Sequence, residues 1–65
     1  MPTDYQSMSI AELRDFILAN PAYKVSMALR YYKGKKDKIM VDKIMLARQH
    51  AQVARLELKL DKLRG

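Results

Sequence analysis

The sequence predicts an all-α fold in which two short helices pack on one long C-terminal helix, assembled as a helical oligomer. Apolar residues recur at the period of a helix, and no segment alternates apolar and polar residues as a strand does. Proline and glycine divide the interior only at Asn20-Pro21 and at Gly34. We therefore predict three helices, over about residues 10–19, 21–33 and 38–64, in a single small domain (1–65) whose first residues, 1–8, are flexible.

The first helix has a well-marked start. Ser9 can cap it, and Glu12 lies three residues later, which is the spacing of a capping box. Apolar residues then follow at helical spacing and predict one buried face, formed by Ile10, Leu13, Phe16 and Ile17.

The opening segment Asp4–Ala19 contains Met8-Ser9-Ile10-Ala11-Glu12-Leu13-Arg14, followed by Phe16 and an aliphatic run. It resembles the start of a group of short cyanobacterial proteins of unknown function, which share a Met-Ser/Thr-x-x-Glu-Leu-Arg segment followed by an aromatic residue. The match covers about a quarter of the chain, and the lysine-rich turn and long helix depart from the group. The resemblance implies a common lineage and no particular activity.

The second helix should meet the first at a sharp corner, with Asn20 as its cap and Pro21 at its first position. Gly34 is predicted to end it in the left-handed conformation. Asp37 is predicted to cap the third helix. The inner stripe of the second helix is predicted to be Ala22, Val25, Ala28, Leu29 and Tyr32, and a second row at spacing four is Tyr23, Met27 and Tyr31.

The third helix has no proline or glycine between Lys38 and Arg64, so it should run unbroken for roughly 40 Å. It has two apolar faces on nearly opposite sides. One comprises Leu46, Val53, Leu56, Leu60 and Leu63, and the other comprises Ile44, Ala47, Ala51, Ala54 and Leu58. Because the two shorter helices can cover only one face, we predict that the other meets a second chain. Which face is internal stays open at this point.

The first of these faces is predicted to be the oligomer interface. Ile39 starts a seven-residue repeat through Leu46, Val53 and Leu60, the pattern of a coiled-coil seam, although Asp42 and Gln49 weaken its first half. The alanine-rich face is an alternative contact, and a monomer with a frayed third helix is another. Self-association also suits a chain of 65 residues without cysteine, because a core this small usually needs additional support.

The formal charge of +6 favours anionic partners. Two groups of cations are candidate anion or nucleic-acid contacts, a lysine-rich turn and a stripe on the third helix: Lys33, Lys35, Lys36 and Lys38, then Arg48, Arg55, Lys59 and Lys62. Tyr31 and Tyr32, beside the turn, could stack on bases. The alternatives are a solvated basic connector with both tyrosines in the core, and the solvated edge of a coiled coil.

Nothing in the sequence indicates catalysis, a cofactor or a metal. Its seven carboxylates are scattered, there is no phosphate-binding glycine loop, and no serine has a histidine partner at a telling position. His50 is the only histidine, and we interpret it as an ordinary surface residue rather than a ligand or pH switch. The first residues do not resemble a secretory signal and no segment suits a membrane span, so we predict a cytoplasmic protein.

Two functional hypotheses follow. The first is a homo-oligomeric adaptor or regulatory protein that binds another protein through helical faces and ignores nucleic acid at physiological salt. The alternative is a small nucleic-acid-binding regulator that uses the lysine-rich turn and the basic stripe. Helices two and three superficially suggest a helix-turn-helix motif, but the third helix is long and lacks base-reading residues at its start. Attachment to an anionic membrane ranks last, since helix packing explains the apolar faces better.

Overall fold

The computed structural model describes residues 4–64 and confirms the three-helix prediction. A 3₁₀ turn at Tyr5–Ser7 is followed by helix α1 (Ile10–Ala19), helix α2 (Ala22–Gly34) and helix α3 (Lys38–Arg64). Both short helices pack against α3, which is the predicted arrangement.

The segment before α1 is attached to the core where the structure describes it. Tyr5 and Met8 are partly buried and pack against the core, and the Tyr5 ring meets Phe16 edge-on, with 5.4 Å between ring centroids. The Nζ of Lys43 also donates to the Gln6 carbonyl oxygen at 3.4 Å. Flexibility was predicted for residues 1–8, of which 1–3 lie outside the described residues, and it stays a prediction.

The start of α1 is the predicted capping box. The Ser9 hydroxyl oxygen accepts from the Glu12 backbone N–H at 3.1 Å, and the Glu12 carboxylate accepts from the Ser9 N–H at 3.1 Å. The two residues thereby satisfy two donors that a helix start would otherwise leave without partners.

The corner between α1 and α2 differs from the prediction in the role of Asn20. Its side-chain amide donates to the Phe16 carbonyl oxygen at 2.7 Å, so Asn20 closes the end of α1 and does not cap α2. Pro21 holds the capping position of α2 without a side-chain hydrogen bond, and the helix begins at Ala22 instead of Pro21. The predicted cap was wrong because the end of α1 also needs a partner for its free carbonyl groups, and the amide of Asn20 reaches one.

The connector between α2 and α3 corrects the prediction for Gly34. Gly34 is the last residue of α2, and the left-handed residue is Lys36, with φ of 58°. The Asp37 N–H donates to the Tyr32 carbonyl oxygen at 2.9 Å and the Lys36 N–H to that of Lys33 at 3.0 Å. This pair of bonds is a Schellman motif, which normally has glycine at the position of Lys36.

The predicted cap of α3 is confirmed, since the Asp37 carboxylate accepts from the Met40 N–H at 3.2 Å.

The core lies between α3 and the two short helices, and it identifies the internal face of α3. Ala47 and Ala51 are 0% and 1% exposed, because their small side chains let a neighbouring helix approach closely. The alanine-rich face is therefore internal as far as Ala51. Ala22, predicted for the inner stripe of α2, is exposed at the corner. The buried side chains are Leu13 and Ile17 of α1, Val25, Ala28, Leu29 and Tyr32 of α2, and Met40, Ile44, Ala47 and Ala51 of α3.

The C-terminal part of α3 projects beyond this core. Ala54 is half-buried, and every residue from Arg55 to Arg64 is exposed. Leu58 lies on the internal face but is 59% exposed. The reason is length, since α1 and α2 have 10 and 13 residues and α3 has 27. The molecule is consequently elongated, with extents of 45 × 23 × 19 Å.

Candidate interaction surfaces

The predicted interface residues of α3 lie together on its exposed side, and we call them the leucine face: Leu46, Val53, Leu56, Leu60 and Leu63. Their exposed fractions run from 40% at Leu46 to 84% at Leu63. Ile39, which starts the same seven-residue repeat, is 80% exposed. The opposite face of α3 is the one that α1 and α2 cover, and Val53 of the leucine face borders an open groove with Arg14 of α1.

The lysine-rich turn is divided by the structure. Three of its four lysines line one open depression together with Asp37 and Val41, namely Lys33, Lys36 and Lys38. Lys35 is separate from them, because its Nζ lies 4.6 Å from the centroid of the Tyr31 ring. The interaction with the Tyr31 side chain raises the pKa of Lys35, which keeps its ammonium group charged.

The two tyrosines beside the turn have different environments. Tyr32 is 6% exposed and belongs to the core, whereas Tyr31 is 55% exposed and meets the Tyr32 ring edge-on, with centroids 5.1 Å apart. Burial raises the pKa of the Tyr32 hydroxyl, and the neighbouring Tyr31 adds to this effect. Tyr32 is therefore inaccessible to a base in this fold, whereas Tyr31 is exposed with Lys35 over its ring.

The basic stripe of α3 occupies one edge of the helix, beside the leucine face. Arg48, Arg55 and Lys62 follow one another at intervals of seven residues, and Lys59 lies between the last two, so all four share one side of the helix. All four are exposed. Arg55 and Lys59 border a shallow groove with Gln52 and with Leu56 of the leucine face, which shows that the two surfaces adjoin.

The other edge of α3, which bears His50 and Glu57, adjoins α1. Arg14 of α1 lines an open groove with His50 and Glu57, and Arg14 also forms a 3.0 Å ion pair with Asp15. This pair is exposed and contributes at most about 1 kcal/mol to stability. His50 itself is exposed, and the groove around it also includes Val53 and Ala54.

The remaining titratable groups are dispersed. Among residues 4–64, no group of three or more histidine or carboxylate side chains is arranged to hold a metal ion. Asp4 accepts a hydrogen bond from the Ser7 hydroxyl, which lowers the pKa of its carboxyl group, although both groups are exposed. The core has a void of about 10 Å³ between the three helices, roughly the space of one water molecule. The void is therefore too small for a small-molecule ligand.

None of the helices in the described part of the chain is both long enough and apolar enough to cross a membrane.

Two features of the surface were not recognised as sites from the sequence. Tyr23, Met27 and Tyr31, the outer row of α2, are 60%, 63% and 55% exposed, so three large side chains line the outside of that helix. Their spacing of four was visible, but the choice between core and surface needed the packing of α2. Val41, which joins the depression at the turn to the edge of the stripe, had no recognisable signal of its own.

Comparison of the chain with protein-family models, with curated proteins and with solved structures finds no match.

Proposed function

We propose that this chain is a small homo-oligomeric helical module, which joins copies of itself through the leucine face and binds a partner protein through the outer row of α2. One observation supports the proposal above all. The leucine face is 40–84% exposed, whereas the core residues on the opposite side of α3 are at most 5% exposed. A single helix with one buried and one exposed apolar face needs a second partner for the exposed one.

The free energy available at the leucine face is comparable with the stability of the whole chain. Its five side chains are on average more than half exposed, and burial contributes roughly 1.5–3 kcal/mol for each fully exposed side chain. Two chains would together gain about 9–18 kcal/mol by this reckoning. The loss of free motion on association costs about 4–15 kcal/mol, and a domain of this size is stable by about 3–10 kcal/mol. The gain from burial is therefore of the size that association at this face requires, which supports the proposal.

A second copy suits the leucine face better than an unrelated partner. Its apolar residues follow the seven-residue repeat of a coiled coil, in which each helix supplies both the knobs and the holes. Asp42 and Gln49 interrupt the repeat only in the first half of α3. The uninterrupted part, from Val53 to Leu63, largely coincides with the projecting part of the helix. A second rod can approach there without meeting α1 or α2.

The outer row of α2 is the second element of the proposal. Tyrosine and methionine are enriched in protein interfaces, and methionine adapts its shape to a partner. Tyr23, Met27 and Tyr31 occupy one side of α2. That helix packs against the internal face of α3, so the row stays accessible when two leucine faces meet.

The test compares two leucines on the same helix. Leu56 and Leu58 are 60% and 59% exposed, but Leu56 belongs to the leucine face and Leu58 to the opposite side. We expect the unmodified chain, of 7.6 kDa, to show at least twice that mass by light scattering or sedimentation equilibrium. Leu56→Glu should reduce the mass to that of one chain, and Leu58→Glu should leave it unchanged. A folded monomer without substitutions, or equal effects of the two variants, would contradict the proposal.

A further inference from the structure

We infer that the depression at the lysine-rich turn and the stripe on α3 together form a basic strip that binds the phosphate backbone of a nucleic-acid duplex. The strip consists of Lys33, Lys36, Lys38, Arg48, Arg55, Lys59 and Lys62. This surface is additional to the two that the proposed function uses, and the adaptor function alone would not require it.

Val41 shows that the two groups of cations lie along one side of α3, with about 15 Å of helix between Lys38 and Arg48. It lines the depression with Lys33, Lys36 and Lys38. It also precedes Arg48 by seven residues, and Arg55 and Lys62 follow at the same interval, so Val41 lies on the same side of α3 as the stripe. The strip accordingly extends from the turn along most of the helix, over about 36 Å between Lys38 and Lys62.

The cations of the strip are free to meet an external anion. The ion pair that the structure shows within residues 4–64 joins Arg14 to Asp15, and both residues lie outside the strip. Asp37 is the one carboxylate that lines the depression, where three lysines outnumber it, and its side chain accepts from the Met40 N–H as the cap of α3. Arg55 and Lys59, four residues apart on one side of the helix, repel each other mildly, and a bound anion would relieve the repulsion.

The conformation of Lys36 is a second, independent observation. It is held at φ of 58°, where a side chain costs about 1–2 kcal/mol relative to the right-handed region and where glycine is usual. The structure therefore retains a lysine at a position that local stability would assign to glycine. A strained residue on a surface is a reason to look for function at that surface.

The shape of the strip favours a duplex over other anions. It is straight and long, and a duplex presents about one phosphate charge per 1.7 Å of its axis, so a rod of cations can meet several phosphates at once. Tyr32 is buried and Tyr31 lies outside the strip, so the strip itself has no aromatic ring for the base stacking that typifies single-strand binding. Binding to an anionic membrane would require an apolar surface beside the cations, and the adjoining leucine face is the one assigned to a second copy.

The experiment measures binding of a fluorescently labelled, random-sequence DNA duplex, longer than the strip, by anisotropy over a salt series. If about six cations contact phosphates, the affinity should fall by roughly 10³-fold between about 50 and 200 mM salt. Arg55→Gln/Lys59→Gln should lower the slope of log affinity against log salt by about 2. The matched control is Lys24→Gln/Arg30→Gln, which removes the same two charges from exposed positions on α2, outside the strip, and should leave the slope unchanged.

Three outcomes would overturn the inference. The first is no binding even at the lowest salt, and the second is equal loss in the two double variants, which would mean that net charge alone is responsible. The third is that the strip variants weaken binding to phosphatidylserine vesicles or to polyglutamate but leave binding to the duplex unchanged. Arg55→Gln/Lys59→Gln separates this inference from the proposed function, because it leaves the side chains of the leucine face unchanged. The variant should keep the mass of the unmodified chain in solution while its salt dependence falls.

Discussion

Two substitutions at the end of α2, Lys36→Gly and Gly34→Ala, should stabilise the fold. Lys36 has φ of 58°, and its N–H and that of Asp37 close the Schellman motif. Gly34, two residues earlier, is helical, and a Cβ atom added there would meet no atom within 4 Å. We therefore expect both Lys36→Gly and Gly34→Ala to raise the free energy of unfolding.

The magnitude follows from the two backbone conformations. Lys36→Gly removes a left-handed side chain that costs about 1–2 kcal/mol, and the added freedom of the unfolded chain takes back about 0.4–1 kcal/mol. The net gain is about 0–1.6 kcal/mol, with a midpoint of roughly 0.8 kcal/mol. Gly34→Ala should add roughly 0.5–1 kcal/mol, since glycine inside a helix is less favourable than alanine by that amount.

Urea unfolding followed by circular dichroism measures the effect, at one fixed protein concentration because association shifts apparent stability. The midpoint should rise without a change in the m-value, and Tm should rise by about 4–8 °C for each kcal/mol. Lys36→Ala is the matched control, since it removes the same side chain but keeps a Cβ atom at φ of 58°. If Lys36→Gly were no more stable than Lys36→Ala, the left-handed assignment of Lys36 would be refuted.

Three further substitutions test other parts of the fold. Ser9→Ala removes the capping box and should cost about 1 kcal/mol in urea unfolding, with Ser26→Ala, an exposed change in α2, as the control. Ala47→Leu should cost about 1–3 kcal/mol in the same assay, because Ala47 is 0% exposed and has no room for a larger side chain. Burial raises the pKa of Tyr32, so the stability that its neutral hydroxyl contributes is complete below the unfolded pKa of about 10 and is lost as pH rises through the higher folded pKa. Tyr32→Phe should therefore lose less stability than the unmodified chain between about pH 9 and 11, as measured by unfolding midpoints, and an equal loss in both would contradict the assignment.

The starts of α1 and α3 were predictable because they are encoded locally. Ser9 with Glu12, and Asp37 before α3, act over three residues, and the structure shows both sets of hydrogen bonds. The end of α2 was less predictable. Gly34 has the residue type of a left-handed stop, but it is itself the last helical residue of α2, and the left-handed residue is Lys36. Residue type indicated a stop in this region without determining which residue makes it.

The packing of α3 could not be deduced from periodicity. Both of its faces are apolar, and the larger side chains of the leucine face would have been the simpler choice for a core. The structure places the alanine-rich face inside, since Ala47 and Ala51 permit close approach. Likewise, adjacency in the sequence groups Lys35 with its neighbours Lys33, Lys36 and Lys38. In the structure the Lys35 side chain lies over the Tyr31 ring instead. Such choices depend on contacts between distant segments.

The projecting end of α3 should make the helix content of the chain depend on the protein concentration. Its last ten residues, Arg55–Arg64, receive no support from the rest of their own chain, and a helix of that length is marginal in water. On dilution below the dissociation constant of the oligomer, this end should unwind while α1, α2 and the first half of α3 stay folded. The ellipticity at 222 nm would then report assembly directly, and the C-terminal end of α3 would be helical only in the oligomer.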